Sequence, residues 1–273
     1  MKIVTDISTT SASAGQGWHP GWLFRDGARG AYYDPTDIST LWQDAAGTAP
    51  AVIGQPVARM DDLSGNGHHM VQAQASARPV LRLTGDLLSL EFDGADDALA
   101  ATTPASAWGW AHRAGGVTFG VAAQVSFRPD ENEFLIGTMS GASSGNTGVS
   151  LNSDNRTVVD NPRDARVMIA RGIGGSVAAF YRVHSGADPV KIWTFVTDAG
   201  GTRLTGRGFM IQSGWTNPPD TSLDPSLTLF MGGAGNHRLN GRIHAAVVID
   251  RALNAPDEAR LRAWLAARAG ISA

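Results

Sequence analysis

Val117–Arg128, with the sequence VTFGVAAQVSFR, alternates between apolar residues and polar or small residues. Its apolar set occupies every second position from Val117 to Phe127. This period is typical of a strand with one buried face, because successive side chains of a strand point to opposite sides of the sheet. The stretch therefore predicts a long β-strand that covers a core.

The pattern of short apolar runs continues toward the C-terminus. Turn-rich clusters such as PDEN, SGASSGN, RGIGG and HSGADP separate these runs. About a dozen strands at this spacing predict an all-β fold, an antiparallel sandwich of two sheets.

Two helices are expected beside the strands. A short one should begin at Thr36 or Asp37 and place Ile38, Leu41 and Trp42 on one face, since residues three and four apart share a helix face. The second should span 254–269. Its signals are an N-cap, acidic residues in the first turn, a buried stripe and a terminal glycine, and they are supplied by Asn254, Asp257, Glu258, Leu261, Trp264, Leu265 and Gly270.

Composition excludes several classes of function. Among 273 residues, 42% are hydrophobic and 17% charged, the net charge is −3, and no run of Lys and Arg occurs. Nucleic-acid binding needs a concentrated basic face, so no nucleic-acid partner is expected. The chain has no cysteine, which excludes disulfides and zinc–thiolate sites. Neither a signal peptide nor a membrane span is recognisable, so we expect synthesis in the cytoplasm and no membrane insertion.

Residues 1–29 differ from the rest of the chain. Ser, Thr, Gly and Ala dominate as far as Gly17, and the bulky aromatics Trp18, Trp22 and Phe24 follow among glycines. Such an arm either wraps its own domain or docks on a neighbouring subunit, because termini are ordered only when something holds them. Residues 30–273 form the predicted sandwich domain.

Leu90–Leu99, LEFDGADDAL, is the most acidic turn of the chain. Its first half reads as a strand, and Asp93-Gly94 reads as a turn that brings Asp93, Asp96 and Asp97 together. Upstream, Asp61–His68, DDLSGNGH, is a second loop rich in turn residues. The two loops are either a carboxylate-rich site or a tightly built corner of the fold.

These loops also carry a resemblance. The stretches GAYYDPTDISTLWQDAAGT, IGQPVARMDDLSGNGHHMVQAQASARPVL, LEFDGADDAL and LNGRIHAAVVIDRALNAPDEARLRAWLAARAG resemble the concanavalin-A-like, laminin-G-like jelly rolls of tailed phages, prophages and gene-transfer-agent-like particles. The resemblance covers most of residues 30–270. It implies a jelly-roll sandwich in a fibre, spike or tail component, with other particle subunits and host-surface polysaccharide as partners.

The resemblance further implies a possible calcium site. Carboxylates and loop oxygens suit Ca²⁺, and the donors here would be Asp61, Asp62, Asn66, Asp93, Asp96 and Asp97. His244 stands where relatives often have an aspartate, which weakens such a site. The alternative is that Asp61 and Asn66 cap turns through backbone hydrogen bonds.

Some relatives of this fold are glycosidases with alternate carboxylates on one strand. Glu91, Asp93 and Asp96 imitate that spacing. Gly94 should end the strand, however, and remove Asp96 from the face that carries Glu91. No catalytic residue is therefore predicted.

Carbohydrate binding needs aromatic platforms beside amides and carboxylates, because pyranose rings have apolar faces and hydroxyl-rich rims. The candidates lie in turn-rich segments and are Trp108, Trp110, Trp215, Asn217, Asp220, Asn236 and His237. The alternative is that these tryptophans pack in a core, which is the more common role of a tryptophan.

The leading hypothesis is a non-enzymatic, lectin-like component of a virion or phage-like particle that contacts host-surface glycan and is part of a homo- or hetero-oligomer. The alternatives are a purely structural assembly module and a glycoside hydrolase.

Overall fold

A computed structural model describes residues 18–112, 116–126, 128, 131–138, 148–154, 157–158, 161–170, 177–183, 189–213 and 228–271. The secondary structure consists of short 3-10 turns, β-strands and one α-helix. The strands are β1 (Gly30–Tyr33), β2 (Leu41–Trp42), β3 (Arg59–Met60), β4 (Met70–Val71), β5 (Val80–Thr84), β6 (Leu87–Asp93), β7 (Leu99–Ala101), β8 (Val117–Val125), β9 (Asn132–Gly137), β10 (Gly148–Asp154), β11 (Thr157–Val158), β12 (Asn161–Ala170), β13 (Val177–Val183), β14 (Val190–Asp198), β15 (Gly201–Gly206), β16 (Phe209–Ser213), β17 (Phe230–Met231), β18 (Gly233–Ala234), β19 (His237–Arg238) and β20 (Asn240–Ile249), and the helix is α1 (Ala255–Arg268).

Two large antiparallel sheets form a sandwich, as the sequence predicts. The first sheet has the order β16-β15-β14-β8-β20-β6-β5, and β1 pairs with the far half of β20. The second has the order β11-β12-β10-β9-β17-β7-β4-β3-β2, and β13 pairs with β12. A small hairpin, β18-β19, lies against β9. The central pairings of both sheets, such as β8-β20, β20-β6 and β9-β17, join strands that are distant in sequence, so residues far apart in the chain meet at the rims.

The main core lies between the sheets, and it contains the predicted alternating set of β8. Val117, Phe119, Val121, Ala123 and Val125 are all buried there. The prediction of a single buried face is incomplete, however, because every residue of β8 except Gln124 is buried. The second face of the first sheet is therefore covered as well.

Helix α1 supplies that cover. Leu261 and Leu265 pack on β8 at Gly120, where an added Cβ would lie 3.1 Å from each leucine side chain. Glu258, 3% exposed, accepts hydrogen bonds from Thr194 at 2.7 Å and from Arg203 at 2.7 Å. The helix is thus fixed to the sheet by apolar packing and by a buried ion pair.

Helix α1 begins and ends close to the predicted residues. Asn254 accepts a hydrogen bond from the Asp257 amide at 2.9 Å, and Gly270, with φ of +70°, follows the last turn. A glycine there avoids the strain that a Cβ suffers in the left-handed region. In the described part of the chain, no helix is both long and apolar enough to cross a membrane.

The predicted N-terminal helix is wrong in extent. Asp37 does cap a turn, accepting from the Ser39 amide at 3.2 Å, but the turn is a 3-10 turn that ends at Thr40. Leu41 and Trp42 then form strand β2. Pairing with β3 overrides the helical spacing of these apolar residues, which shows tertiary context deciding against a local pattern.

Residues 18–24 pack against the sandwich. Phe24 is 7% exposed and stacks on Tyr32, with 5.9 Å between ring centroids, in the cluster beneath α1. Trp18 is half-buried against the same cluster, whereas Trp22 is 41% exposed. Phe24 therefore belongs to the chain's own core and does not form part of a docking face.

Candidate functional site

The acidic turn, residues 93–97, joins β6 to β7 and is held by its own carboxylates. Gly94 has φ of +77°, and Asp93 Oδ1 accepts from the amides of Ala95, Asp96 and Asp97 at 2.8–3.4 Å. In return, the Asp93 amide donates to Asp97 Oδ2 at 3.0 Å. The strand thus ends at Asp93, as Gly94 predicts.

Negative charge is concentrated at this turn. Ligand oxygens of Asp93, Asp96 and Asp97 lie within 4.8 Å of one another, and Asp97 alone is buried. Burial raises the pKa of Asp97 to about 6, and the charges of Asp93 and Asp96 add to the shift. The turn therefore favours a ligand that supplies positive charge or hydrogen-bond donors.

Arg128 connects the acidic turn to the glycine hairpin, which we define as residues 233–238. Its guanidinium donates to the Gly94 carbonyl at 3.0 Å and to the Arg238 carbonyl at 2.6 Å. An added Cβ at Gly233 would lie 2.9 Å from the Asp97 carbonyl oxygen, so the two segments are in direct contact. We call the acidic turn and the glycine hairpin together the binding corner.

Two predicted carbohydrate residues lie on this hairpin. Asn236 is exposed in the turn between β18 and β19, and His237 is half-buried at the start of β19. The structure thereby brings residues from two separate predictions, the calcium residues Asp93 and Asp96 and the carbohydrate residues Asn236 and His237, to one corner.

Glu133 is buried beneath the binding corner and forms an ion pair with Arg128. It is completely buried, and its Oε1 accepts from Arg128 at 2.9 Å and from the Asn240 amide at 3.1 Å. Burial raises the pKa of Glu133, and the Arg128 guanidinium opposes that shift. The pair holds Arg128 in the orientation that bridges the two segments.

Two buried amides on β9 and β10 could not be recognised in the sequence. Asn132 and Asn152 are 2% and 0% exposed, and among the described residues neither amide group has a hydrogen-bond partner. The strand register places Asn132 opposite Asp154 and Asn152 opposite Phe134. Asn132, Phe134, Asn152 and Asp154 therefore share one face of the second sheet, because alternate residues of paired strands point to the same side. The signal was the polar end of β10, which the sequence suggests is a turn.

The predicted calcium residues of the upstream loop are not part of the corner. Asp62 is 8% exposed and accepts from the amides of Tyr32, Ser64 and His68, and from the Ser64 hydroxyl. These four donors occupy its oxygens, so Asp62 is a turn-building residue.

Asp61 and Asn66 have similar structural roles. Asp61 accepts from the Trp42 indole at 2.8 Å and from Arg59 at 2.7 Å, and Asn66 donates to the carbonyls of Ala28 and Gly30. The predicted calcium site composed of Asp61, Asp62, Asn66, Asp93 and Asp96 is therefore wrong as one site. Asp61, Asp62 and Asn66 lie in the loop between β3 and β4, and among the described residues the carboxylates that could share an ion are those of the acidic turn.

The other predicted carbohydrate residues are buried or lie outside the described residues. Trp108, 0% exposed, follows one 3-10 turn, and Trp110, 8% exposed, lies in the next, with their ring centroids 6.0 Å apart in the main core. Neither presents a ring face to solvent, so their prediction as platforms is wrong. Trp215, Asn217 and Asp220 fall outside the described residues.

Glu91 is part of a cross-strand ion network. Its Oε1 accepts from Arg82 at 2.8 Å and its Oε2 from Arg242 at 2.9 Å. Although burial acts to raise the pKa of Glu91, the hydrogen bonds from both arginines bring it below the usual value. A carboxylate held in this way is unsuited to proton donation.

His244 lies at a β-bulge of β20, between Ile243 and Ala245. It is 7% exposed, and its Nδ1 has no hydrogen-bond partner. Burial, aided by the Arg242 charge, lowers the pKa of His244 to about 4. The residue is a neutral core histidine at neutral pH.

Comparisons with known proteins support the fold. No protein-family model matches the sequence, and no curated protein matches it by sequence. Solved structures are similar in shape. An arabinofuranosidase complexed with arabinofuranosyl-alpha-1,2-xylobiose has a TM-score of 0.57 at 12% identity, over 92% of this chain and 65% of that one. A Trypanosoma rangeli sialidase in complex with 2,3-difluoro-KDN has a TM-score of 0.54 at 12% identity, over 88% of this chain and 32% of that one.

The binding domain of botulinum neurotoxin DC, in complex with rat synaptotagmin II, is also similar. Its TM-score is 0.53 at 13% identity, over 85% of this chain and 52% of that one. The chain thus spans about a third of the sialidase and less than two thirds of the other two proteins. At these identities the likeness shows a shared sandwich fold. That part of the predicted resemblance is confirmed, and its phage-particle part stays a prediction.

One prediction is corrected by these structures. The sequence suggested a protein without enzymatic activity, yet structures similar to this chain include two glycoside hydrolases, the sialidase and the arabinofuranosidase. The fold therefore gives no ground for excluding an enzymatic role.

Proposed function

We propose that the protein binds carbohydrate at the binding corner. The observation that carries the proposal is the Arg128 bridge, which brings the acidic turn and the glycine hairpin together. Carboxylates accept hydrogen bonds from sugar hydroxyls, whereas the amide of Asn236 both donates and accepts. These groups match the hydroxyl-rich rims of sugar rings, which a polar corner can recognise through hydrogen bonds.

Calcium would strengthen this site. Its donors would be the oxygens of Asp93, Asp96 and Asp97, whose hard-ligand character fits the ion. A bound calcium would neutralise the turn and coordinate hydroxyl groups. The predicted calcium site is retained here with this smaller set of ligands.

The test is a glycan array followed by calorimetry on a retained glycan, with calcium and with a chelator. Asp96→Ala combined with Asn236→Ala should weaken binding by at least about tenfold, since two or more hydrogen bonds to the ligand are lost. Asp86→Ala is the matched control, because Asp86 is an exposed turn residue at the opposite end of β6. Absence of any retained glycan, or equal affinities for the double variant and the control, would overturn the proposal.

A second candidate function is glycoside hydrolysis at the same corner. Burial raises the pKa of Asp97, and its carboxyl group lies beside that of Asp96, as in the paired carboxyl groups of glycoside hydrolases. New reducing ends in an incubated polysaccharide would support hydrolysis, and Asp97→Asn should abolish them while calcium-independent binding of the glycan persists. Binding without new reducing ends supports the first function.

We also propose that the chain is a component of a phage-like particle and contacts other particle subunits. The resemblance of the sequence to particle jelly rolls and the exposed Trp22 support this. Mass spectrometry of purified particles from the producing cells should detect the chain. Its absence from particles that contain their capsid and tail proteins would reject this location.

A further inference from the structure

Strands β5 and β16, which end the main strand order of the first sheet, differ in how their outer edges are protected. The edge of β5 is covered by residues 54–57, since the Gly54 amide donates to the Leu81 carbonyl at 2.8 Å and the Leu81 amide donates to the Gln55 carbonyl at 3.1 Å. Arg82 also places a charge on this strand. Coverage and charge are the usual means of preventing a sheet edge from pairing with another chain.

In the described part of the chain, nothing covers the outer edge of strand β16, and the strand itself carries no charge. Its sequence, FMIQS, contains no charged residue and no proline, and its register with β15 has no bulge. Met210 is 58% exposed, and Gln212 is exposed as well. Within the described part of the chain, β16 pairs with β15 alone.

The hairpin geometry identifies the outward backbone groups. Gly206 and Phe209 are paired across Arg207 and Gly208, which makes a two-residue turn. The residues that close such a turn exchange hydrogen bonds, and the direction alternates along an antiparallel strand. Phe209 and Ile211 therefore direct their N–H and C=O groups toward β15, whereas Met210 and Gln212 direct theirs away from the sheet.

We propose that β16 pairs with β16 of a second copy of this chain, in an antiparallel manner about a two-fold axis at Ile211. Met210 of each copy then lies opposite Gln212 of the other, and both have outward backbone groups, so the pair can exchange two hydrogen bonds. A two-fold axis at Ile211, the centre of the strand, pairs the greatest length of it. Because the strand carries no charge, its copy meets no like-charge repulsion.

A second copy is the occupant that this geometry favours. The two outward residues, Met210 and Gln212, lie at equal distances on either side of Ile211. Rotation by 180° about Ile211 therefore brings Met210 of one copy opposite Gln212 of the other, as a two-fold interface requires. The exposed Met210 side chain would be covered by its neighbour in the continuous sheet.

Sedimentation equilibrium of the intact chain tests the pairing. We expect the wild type to sediment as a dimer of the 28.6 kDa chain. Met210→Pro removes an outward N–H from each copy while the ladder to β15 is kept, and it should raise the dimer dissociation constant by about tenfold or more. Circular dichroism and thermal unfolding establish whether the variant is folded.

Met210→Lys is the second variant, and it places a charge on the edge without touching the backbone. Its control is Leu83→Lys, since Leu83 is 48% exposed on the protected edge strand β5. We expect Met210→Lys to weaken the dimer and Leu83→Lys to leave it unchanged.

Disulfide trapping tests the proposed register between the two copies of β16. Because the chain contains no cysteine, a single introduced cysteine can form a disulfide only with its copy. Ile211→Cys would place two thiols opposite each other in a pair without mutual hydrogen bonds, where the Cβ atoms lie close enough for a disulfide. Oxidation should give a covalent dimer that Leu83→Cys does not give. A monomeric wild type, or a dimer unaffected by both Met210 variants, would overturn the proposal.

Discussion

The guanidinium of Arg128 donates to the carboxylate of Glu133 at 2.9 Å, and only the arginine is in contact with solvent, with 26% of its side chain exposed against 0% for Glu133. The same guanidinium holds the carbonyls of Gly94 and Arg238. One partly buried ion pair therefore determines the spacing of the two segments that form the binding corner.

Arg128→Met should destabilise the protein by about 3 kcal/mol, because removal of one partner leaves a buried charge uncompensated. Urea unfolding measures the change. In the double variant Arg128→Met, Glu133→Gln, most of the loss should be recovered, since Gln still accepts from the Asn240 amide and carries no charge. Equal stabilities for the single and double variants would show that the charge of Glu133 is unimportant.

Asp97→Asn should stabilise the protein at neutral pH. The pKa of Asp97 is raised from 3.8 to about 6, so between these values the folded protein holds a proton that the unfolded chain has released. The contribution of Asp97 is therefore favourable at low pH and is lost as pH rises through this window, by up to about 3 kcal/mol. The variant should match the wild type near pH 4 and exceed it at pH 7 in urea unfolding.

A constant difference between the two proteins across this pH range would contradict the assignment. Calcium provides a second comparison. If the acidic turn binds the ion, added calcium should stabilise the wild type more than the variant.

His244 should change the pH dependence of stability in the opposite direction from Asp97. Its pKa is lowered from 6.5 to about 4, so in that window the unfolded chain takes up a proton that the folded protein does not. Stability from this residue is present above the unfolded pKa and is lost as pH falls toward the folded pKa, by up to about 3 kcal/mol. His244→Leu should remove this acid sensitivity.

Because Asp97 and His244 titrate in opposite senses over overlapping ranges, each variant is compared with the wild type at every pH. Unfolding curves at half-unit steps from pH 4 to 7 suffice. His244→Leu with an unchanged acid slope would show that His244 is protonated in the folded protein.

Glu91→Gln should lower the thermal stability of the protein only slightly. Glu91 is 30% exposed between Arg82 and Arg242, and partly exposed ion pairs contribute about 1 kcal/mol or less each. Thermal unfolding should show a modest loss, and glycan binding and any release of reducing ends should be unchanged. A complete loss of hydrolysis in this variant, with the fold retained, would place the chemistry on the first sheet.

Features that depend on neighbouring residues were predictable. The alternation from Val117 to Val125 identified the inner face of β8, Gly94 ended its strand, and Asn254 began the helix. In each case the signal and its effect lie within a few residues. The helix expected at Ile38 failed because pairing of β2 with β3 is a distant interaction.

The roles of the tryptophans likewise depend on distant contacts and not on neighbouring residues. A tryptophan beside glycines in a loop can serve as a binding platform, although packing is its more common role, and burial of Trp108 depends on what packs over it. Asn152 was hidden for a related reason, since a polar residue at the end of an apolar run reads as a turn until a register places it inside a strand.

Local signals in the chain are enough to predict the β-sandwich class, the acidic turn at Asp93–Asp97 and the terminal helix, because period, turn chemistry and capping act over short distances. Long-range strand pairing places this turn beside the glycine hairpin. Gly94, Arg128 and Arg238 meet because β20 pairs with β6 on one side and with β8 on the other. Strand order of this kind is selected by the packing of the whole core, and no local pattern in the chain encodes it.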